Sequence, residues 1–370
     1  MESLATWKIT DIAPDIMITI FTPSFADAAD TNAQNLTVKE VVARLPPEKF
    51  RVQMLYAEKP DSRIVARPNT ELIAYRRHGN SLRLLARCCT TPPDVYFFPR
   101  EGPLDSVFLS CRRYLRFKTA VVSCIVSAMD QGEVRPLILR SILEGDVVVG
   151  NSNFVSQSIL DRFGIATSTI PDGVDRELFF SRPETRASNP QPIVLYAGAF
   201  QPMKRVPIVI KEASRRPDVR FRLAGRGVDE ADCRILAERL GCRNVDFLGH
   251  LPQAQLGGEM RQADIFLFPS VSEGHPQVLI QAAACGLPCI AMDVYHPDYV
   301  ASGSTGFLAR SDEEVSEKLD LLLAQPELRQ SFSKAAARLA SNFDWERIAE
   351  QWETVLSGAV DLRRHRNRSH

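Results

Sequence analysis

Residues 265–288 read Ile265-Phe266-Leu267-Phe268-Pro269-Ser270-Val271-Ser272-Glu273-Gly274-His275-Pro276-Gln277-Val278-Leu279-Ile280-Gln281-Ala282-Ala283-Ala284-Cys285-Gly286-Leu287-Pro288, and their order settles the fold class. The apolar run 265–268 reads as a buried strand. A Pro-Ser break, one acidic residue and a glycine-containing turn follow it. Residues 278–285 then have the composition of an apolar helix, stopped by Gly286 and Pro288. This layout gathers Glu273 and the unpaired N–H groups of a helix start at the carboxyl end of a strand. Open α/β sheets bind ligands there, and helix N-termini attract phosphate. The segment therefore predicts a site for a phosphorylated or polyhydroxyl ligand.

The same alternation extends in both directions. Upstream, short apolar runs at 16–21, 51–56, 93–98, 119–126 and 146–150 read as strands, with helices at 37–45 and 154–163. At 181–192 the composition turns polar, with closely spaced prolines such as Pro190 and Pro192 and no apolar period, which marks a linker. Strands resume at 193–196, 220–224, 245–248, 265–268 and 289–291. Strands alternating with helices predict an α/β fold of parallel, doubly wound sheets. The expected organisation is a Rossmann-like domain at 1–180, a linker at 181–192, a second Rossmann-like domain at 193–342, a final helix at 343–360 capped by Asp344, and a basic tail at 361–370. Two such domains would face each other across a cleft.

Composition narrows the function. A chain of 370 residues exceeds the size at which one core stops growing, so two domains are the default. Its 45 Lys and Arg balance 45 Asp and Glu, which leaves no global field to draw nucleic acid. No apolar run is long enough to span a bilayer. Residues 1–14 contain Glu2, Lys8 and Asp11 and lack the continuous core of a secretory signal, so a cytoplasmic enzyme is expected. The eight cysteines have no metal-ligand spacing with histidine and read as reduced thiols, so no metal site is expected. A local basic surplus runs through Arg76-Arg77-His78, Arg83, Arg87, Arg112-Arg113, Arg116 and Lys118. It reads as a solvated face or as peripheral contact with an anionic membrane. The run Arg363-Arg364-His365-Arg366-Asn367-Arg368 reads as a solvated tail.

The pattern Glu273-Gly274-x-Pro276-x-Val278-Leu279-x-x-Ala282-x-Ala284-x-Gly286-x-Pro288 resembles the signature of the retaining glycosyltransferases of family 4, which have the two-domain GT-B fold. Three further segments share the likeness: Ile170-Pro171-Asp172-Gly173-Val174-Asp175 with Phe179, Val194-Leu195-Tyr196-Ala197-Gly198 with Lys204, and Val245-Asp246-Phe247-Leu248-Gly249. The likeness covers roughly residues 145–355 well and the first half weakly. It implies that Glu273 meets hydroxyls of a donor sugar and that Gly198 and Lys204 hold the diphosphate; Arg205, which stands where the family usually has Gly, is expected to substitute for a cation missing at Ala199. Gly274, His275 and Pro276 complete the turn, and the backbone N–H groups of Gln277, Val278 and Leu279 face a phosphate. Gly225 and Gly227 form a turn near the nucleotide, and His250 and Leu251 line the base pocket. Each has a plainer reading: a helix-capping carboxylate for Glu273, a solvated loop pair for Lys204 and Arg205, a surface turn for His250.

Departures from the pattern are as informative. Gln281 stands where the family has a second Glu that holds the ribose diol, and Ala199 stands where it favours Arg. Val294-Tyr295-His296-Pro297-Asp298 replaces paired glycines, and Thr22-Pro23-Ser24-Phe25 lacks the glycine pair usual after the first strand. The expected function is metal-independent, cofactor-free transfer of a sugar, with retention, from a nucleoside diphosphate-sugar to a hydroxyl of a glycan, glycolipid or small molecule. The alternatives are a nucleotide-sugar-binding protein without turnover, or a nucleotide-sugar epimerase of the same fold. An NAD-dependent oxidoreductase is disfavoured, because no strand, glycine-rich turn and helix of the right form occurs.

Overall fold

In the computed structural model, which describes residues 17–28, 33–75, 81–99, 103–129, 134, 136–181 and 191–366, thirteen strands pair in parallel into two sheets. The first contains Ile18–Phe25 (β1), Phe50–Tyr56 (β2), Thr70–Ala74 (β3), Val95–Phe97 (β4), Ala120–Ile125 (β5), Val147–Gly150 (β6) and Ser168–Thr169 (β7). Its order is β3-β2-β1-β4-β5-β6-β7. The second contains Ile193–Ala197 (β8), Arg220–Ala224 (β9), Val245–Gly249 (β10), Ile265–Phe268 (β11), Cys289–Met292 (β12) and Gly306–Ala309 (β13), in the order β10-β9-β8-β11-β12-β13. In each sheet the order reverses beside its first strand, at β1/β4 and at β8/β11. Those reversals are where open α/β sheets take ligands.

The central strands are buried on both faces, as continuous apolar runs require. Every residue of β4, β5, β8, β11 and β12 is buried. Helix Val206–Arg215 covers the second sheet with Val206, Ile208, Val209, Ile210 and Ala213. Helix Gln277–Ala284 does so with Leu279, Ile280 and Ala282 to Ala284. Helix Asp312–Ala324 is started by Ser311, whose hydroxyl accepts from the Glu314 N–H at 3.2 Å.

The chain divides into two units: Met1–Asn151, Ser158–Ile170 and Ile348–His370 in one, Ser152–Gln157 and Pro171–Arg347 in the other. The expected boundary at 180 is thus too late, and hydrogen bonds explain why. Ser152 Oγ donates to Gly274 O at 3.3 Å, Tyr299 Oη donates to Asp172 O at 2.8 Å, and Val174 pairs with Asp344. These contacts claim 152 and 171–175 for the second unit. Most of the linker expected at 181–192 lies outside the described residues.

The last helix runs Trp345–Arg366, well past residue 360, and the Glu346 N–H donates to the Asp344 carboxylate at 3.1 Å. Trp352 packs edge-on against Phe97 at 5.2 Å. Residues 361–366 are therefore helix rather than a solvated tail. Arg363 is drawn in because its guanidinium donates to Phe117 O at 3.1 Å and reaches Asp146. Arg112 likewise leaves the expected basic surface, since it is buried and paired with Asp146. Arg87 pairs with Glu71. Arg83, Arg113, Arg116 and Lys118 remain exposed, while 76–78 lie outside the described residues.

Several elements escaped sequence reading. They are β3, β7 and β13, and the helices Ser62–Ala66, Pro103–Tyr114 and Pro136–Glu144. The missed strands are two to five residues long and lie at sheet edges, where half-exposed faces dilute the apolar pattern. Strand β1 continues through Pro23 to Phe25, with a register shift between Thr22 and Phe25 that accommodates a residue without an N–H.

Candidate active site

The carboxyl ends of β8 and β11 carry the charged centre of the second unit. After β8 the chain makes a one-turn helix, Pro202–Lys204, and after β11 it loops through 269–276 into helix Gln277–Ala284. Met203 O ties the two loops together, accepting from Val271 N at 3.0 Å and Ser270 Oγ at 3.2 Å. This tether fixes Lys204 opposite Glu273, and Nζ meets Oε1 at 2.5 Å. The side chains are only 18% and 11% exposed, so the pair is poorly screened. Lys204 Nζ also lies 5.5 Å from the centre of the Phe268 ring.

Helix Gln277–Ala284 starts beside this pair with Pro276 before it and no side-chain cap. Its first N–H groups have no partner within the helix, which leaves partial positive charge aimed outward. Gly274, His275, Pro276, Gln277, Val278 and Leu279 are thus brought to one rim with Lys204 and Glu273. Leu279 differs from its neighbours, since its N–H is spent on Pro276 O at 3.0 Å.

His275 is fully buried rather than facing solvent. Tyr299 stacks on its ring at 3.8 Å and places its oxygen 2.7 Å from Nδ1. Tyr299 has one proton and gives it to Asp172 O, so Nδ1–H is the donor and Nε2 bears the lone pair. Burial lowers the imidazole pKa to about 3, which keeps the ring neutral. Three buried side-chain atoms of the second unit have no hydrogen-bond partner among the described residues: Nε2 of His275, Nε2 of Gln277 and Oη of Tyr295. All three sit on the segments that follow β11 and β12. Burial, and then the charge of Glu273, push the Tyr295 and Tyr196 hydroxyls far up, so both stay protonated.

The remaining expected residues divide. Gln281 lies one turn into the helix, where its Nε2 donates to Gln253 Oε1 at 3.0 Å. Arg205 is not gathered with Lys204. Its backbone is left-handed (φ 54°) and its guanidinium pairs with Asp312 at 2.5 Å. Gly225 and Gly227 are required by packing, since a Cβ would stand 1.9 Å from Gly198 O and 2.2 Å from Phe200 O. Gly198 donates its N–H to Ala224 O at 3.0 Å, which locks this corner. His250 is exposed at the end of β10, and Leu251 is half-buried against the core. Sequence reading missed Met203, Gln253, Tyr295 and Tyr299. The Tyr295 segment was visible as a departure from paired glycines, whereas nothing local signals that Gln253 will meet Gln281.

Two parallel, doubly wound sheets with ligand-side loops of this kind define a GT-B protein. The Anabaena protein Alr3699/HepE in complex with UDP superimposes with a TM-score of 0.75 at 18% identity, over 92% of this chain and 100% of that one. Sucrose-phosphate synthase from Thermosynechococcus elongatus gives 0.73 at 19%, over 93% and 99%. Residues 179–339, a little under half of the chain, match the family described as Glycosyl transferases group 1. It is similar to D-inositol 3-phosphate glycosyltransferases: 28% identical over 247 residues to that of Segniliparus rotundus (60% of this chain, 55% of the relative), and 32% over 195 residues to that of Streptomyces avermitilis (48% and 42%). The match takes in about half the length of these relatives. No described helix is long and apolar enough to cross a membrane.

Proposed function

We propose that the protein is a retaining glycosyltransferase that moves a sugar from a nucleoside diphosphate-sugar to a hydroxyl acceptor without a metal ion. The observation that carries this reading is the Lys204–Glu273 pair, set at the β8/β11 reversal beside an uncapped helix start. Lys204 and the helix start supply positive charge for a departing diphosphate. Glu273 supplies an acceptor for sugar hydroxyls next to it. The acceptor oxygen attacks the anomeric carbon, the bond to the diphosphate breaks, and the leaving phosphate takes up the acceptor's proton. Front-face attack of this kind keeps the anomeric configuration. The site residues named above, from Gly198 to Gln281, are the donor-binding set of this proposal.

The amide pair Gln281–Gln253 and the Arg205–Asp312 pair favour a second reading, in which the domain binds a sugar nucleotide without turnover. Thermal-shift titration with UDP, GDP and ADP, followed by product analysis with the matching sugar nucleotide in EDTA, separates the two. D-inositol 3-phosphate belongs among the acceptors tried, since the relatives are named for it. Nucleotide binding with a product of unchanged anomeric configuration is expected. Binding without product supports the second reading, and an inverted product or a strict need for a divalent ion overturns the first. Exposed Arg113, Tyr114, Leu115, Arg116 and Lys118 also suit peripheral contact with an anionic cytoplasmic membrane face, and cosedimentation with anionic vesicles tests that part.

A further inference from the structure

Helix Trp345–Arg366 carries a second apolar stripe beside the one that holds Trp352. Val355, Gly358, Ala359 and Leu362 recur at helical spacing and so share one face. They form one wall of a cavity of about 820 Å³, and Val147, Val148 and Thr167 stand in the other. The sheet makes this space by ending early. Among the described residues β7 pairs with Val149 and Gly150 of β6 alone, so residues 166–167 leave the edge of β6 beside Val147 and Val148. The helix closes over the wedge that results. Every lining residue belongs to the first unit, whereas the donor-binding set belongs to the second.

Gly358 keeps the cavity open. A Cβ on it would meet nothing within 4 Å, so packing does not require a glycine there. Glycine in mid-helix costs stability relative to alanine, and its effect at this position is to withhold a side chain from the space. Thr167 Oγ1 is buried with no hydrogen-bond partner among the described residues, and a ligand group that pairs with it relieves that cost. Charge decides the kind of ligand. Lys49 Nζ meets Glu353 Oε1 at 2.9 Å, Asp146 is held by Arg112 and Arg363, and Asp361 is 3.9 Å from Arg364. The acids and the lysine of the lining are thus paired within the protein and call for no counter-ion. The volume falls in the range of about 300–1,000 Å³ that small-molecule sites occupy. We propose that this cavity binds an uncharged, largely apolar small molecule with one hydrogen-bonding group, which Thr167 meets. The site stands independently of the donor reading.

The test is fluorescence titration of the full chain with Nile red, an uncharged fused-ring dye that carries a carbonyl. Saturable one-to-one binding is expected, unchanged by UDP, GDP or ADP. Gly358→Leu puts a side chain into the space, and most of the dye affinity should be lost while the melting temperature holds or rises. Thr167→Val keeps the shape and removes the hydroxyl, and should weaken the dye about fivefold, as loss of one neutral hydrogen bond implies. Anilinonaphthalene sulfonate, an anionic dye, should bind the wild type and Gly358→Leu alike. A wild type without saturable Nile red binding overturns the proposal, as does displacement of the dye by a nucleotide or unchanged affinity in Gly358→Leu. Loss of the anionic dye along with Nile red overturns the choice of an uncharged ligand. Dye binding that falls as protein concentration rises gives the face to a second copy of the chain instead. If Gly358→Leu melts early, Thr167→Val decides, and unchanged affinity there overturns the site.

Discussion

Lys204 and Glu273 neutralise each other at 2.5 Å across two loops that Met203 O ties together. On the proposed function, an arriving donor would have to divide this pair, turning the ammonium to its diphosphate and the carboxylate to its sugar. The two groups are thus held in place, yet each competes with the ligand for the other.

Opposite effects of the two alanine variants follow. Glu273→Ala removes the carboxylate that competes for Lys204, and its affinity for a free nucleoside diphosphate should rise about fivefold, as loss of a pair worth about 1 kcal/mol implies. Sugar transfer by the same variant should be lost. Lys204→Ala should weaken the diphosphate by about tenfold or more, since charge-assisted hydrogen bonds contribute about 1.5–3 kcal/mol. Calorimetry on both variants checks the pair of signs. Weaker diphosphate binding in Glu273→Ala would show that the carboxylate helps to hold the nucleotide instead.

Gln281 and Gln253 make a neutral amide pair at 3.0 Å where the family likeness leads one to expect a carboxylate. Two amides still present donors and acceptors to a vicinal diol, though without charge. Gln281→Glu places an ionised acceptor beside the Gln253 amide, which can turn its NH₂ toward it. Affinity for the ribonucleoside diphosphate should increase about tenfold, the difference between a neutral and a charge-assisted bond. The 2′-deoxy nucleotide should gain less, because one hydroxyl of the diol is missing. Parallel titrations with the ribo and deoxy forms decide it. Equal gains for both would place the new charge away from the ribose.

What was legible in the sequence was what lies close together along the chain. Residues 265–288 carry strand, turn and helix in one run, so the rim holding Glu273 and the helix start could be read directly. The sheets followed from strand–helix alternation, because parallel strands buried on both faces leave continuous apolar runs. The direction of a side chain could not be read in this way. Arg205 follows Lys204 immediately, yet its left-handed backbone sends it to Asp312, 107 residues on. Tyr299, which sets the tautomer of His275, is 24 residues away, and Gln253 is 28 from Gln281. Arg363 looked like part of a solvated tail because Asp146, which draws it in, is 217 residues distant. Glycine was ambiguous for a related reason. Gly225 and Gly227 looked like a ligand turn, and in the folded chain they make room for Gly198 O and Phe200 O.

His275 gives the site a defined response to acid. Burial lowers its pKa from 6.5 to about 3, so between those values the unfolded chain binds a proton that the folded chain refuses. Its contribution to stability is complete above pH 6.5 and declines as pH falls toward 3, with a slope of up to about 1.4 kcal/mol per pH unit. His275→Phe keeps a ring stacked on Tyr299 and leaves the Tyr299 bond to Asp172 O intact, but removes the titrating group. Urea unfolding at pH 7.5 and pH 5.5 should show the wild type losing about 1 kcal/mol more than the variant between the two conditions. About three quarters of that difference should appear below pH 6.5, where the unfolded imidazole is mostly protonated. If wild type and variant lose the same stability on acidification, His275 takes up its proton in the folded state. A protonated ring would have to be held by Asp298, whose Oδ2 is 3.7 Å from Nε2 and would need to close that distance to form the bond.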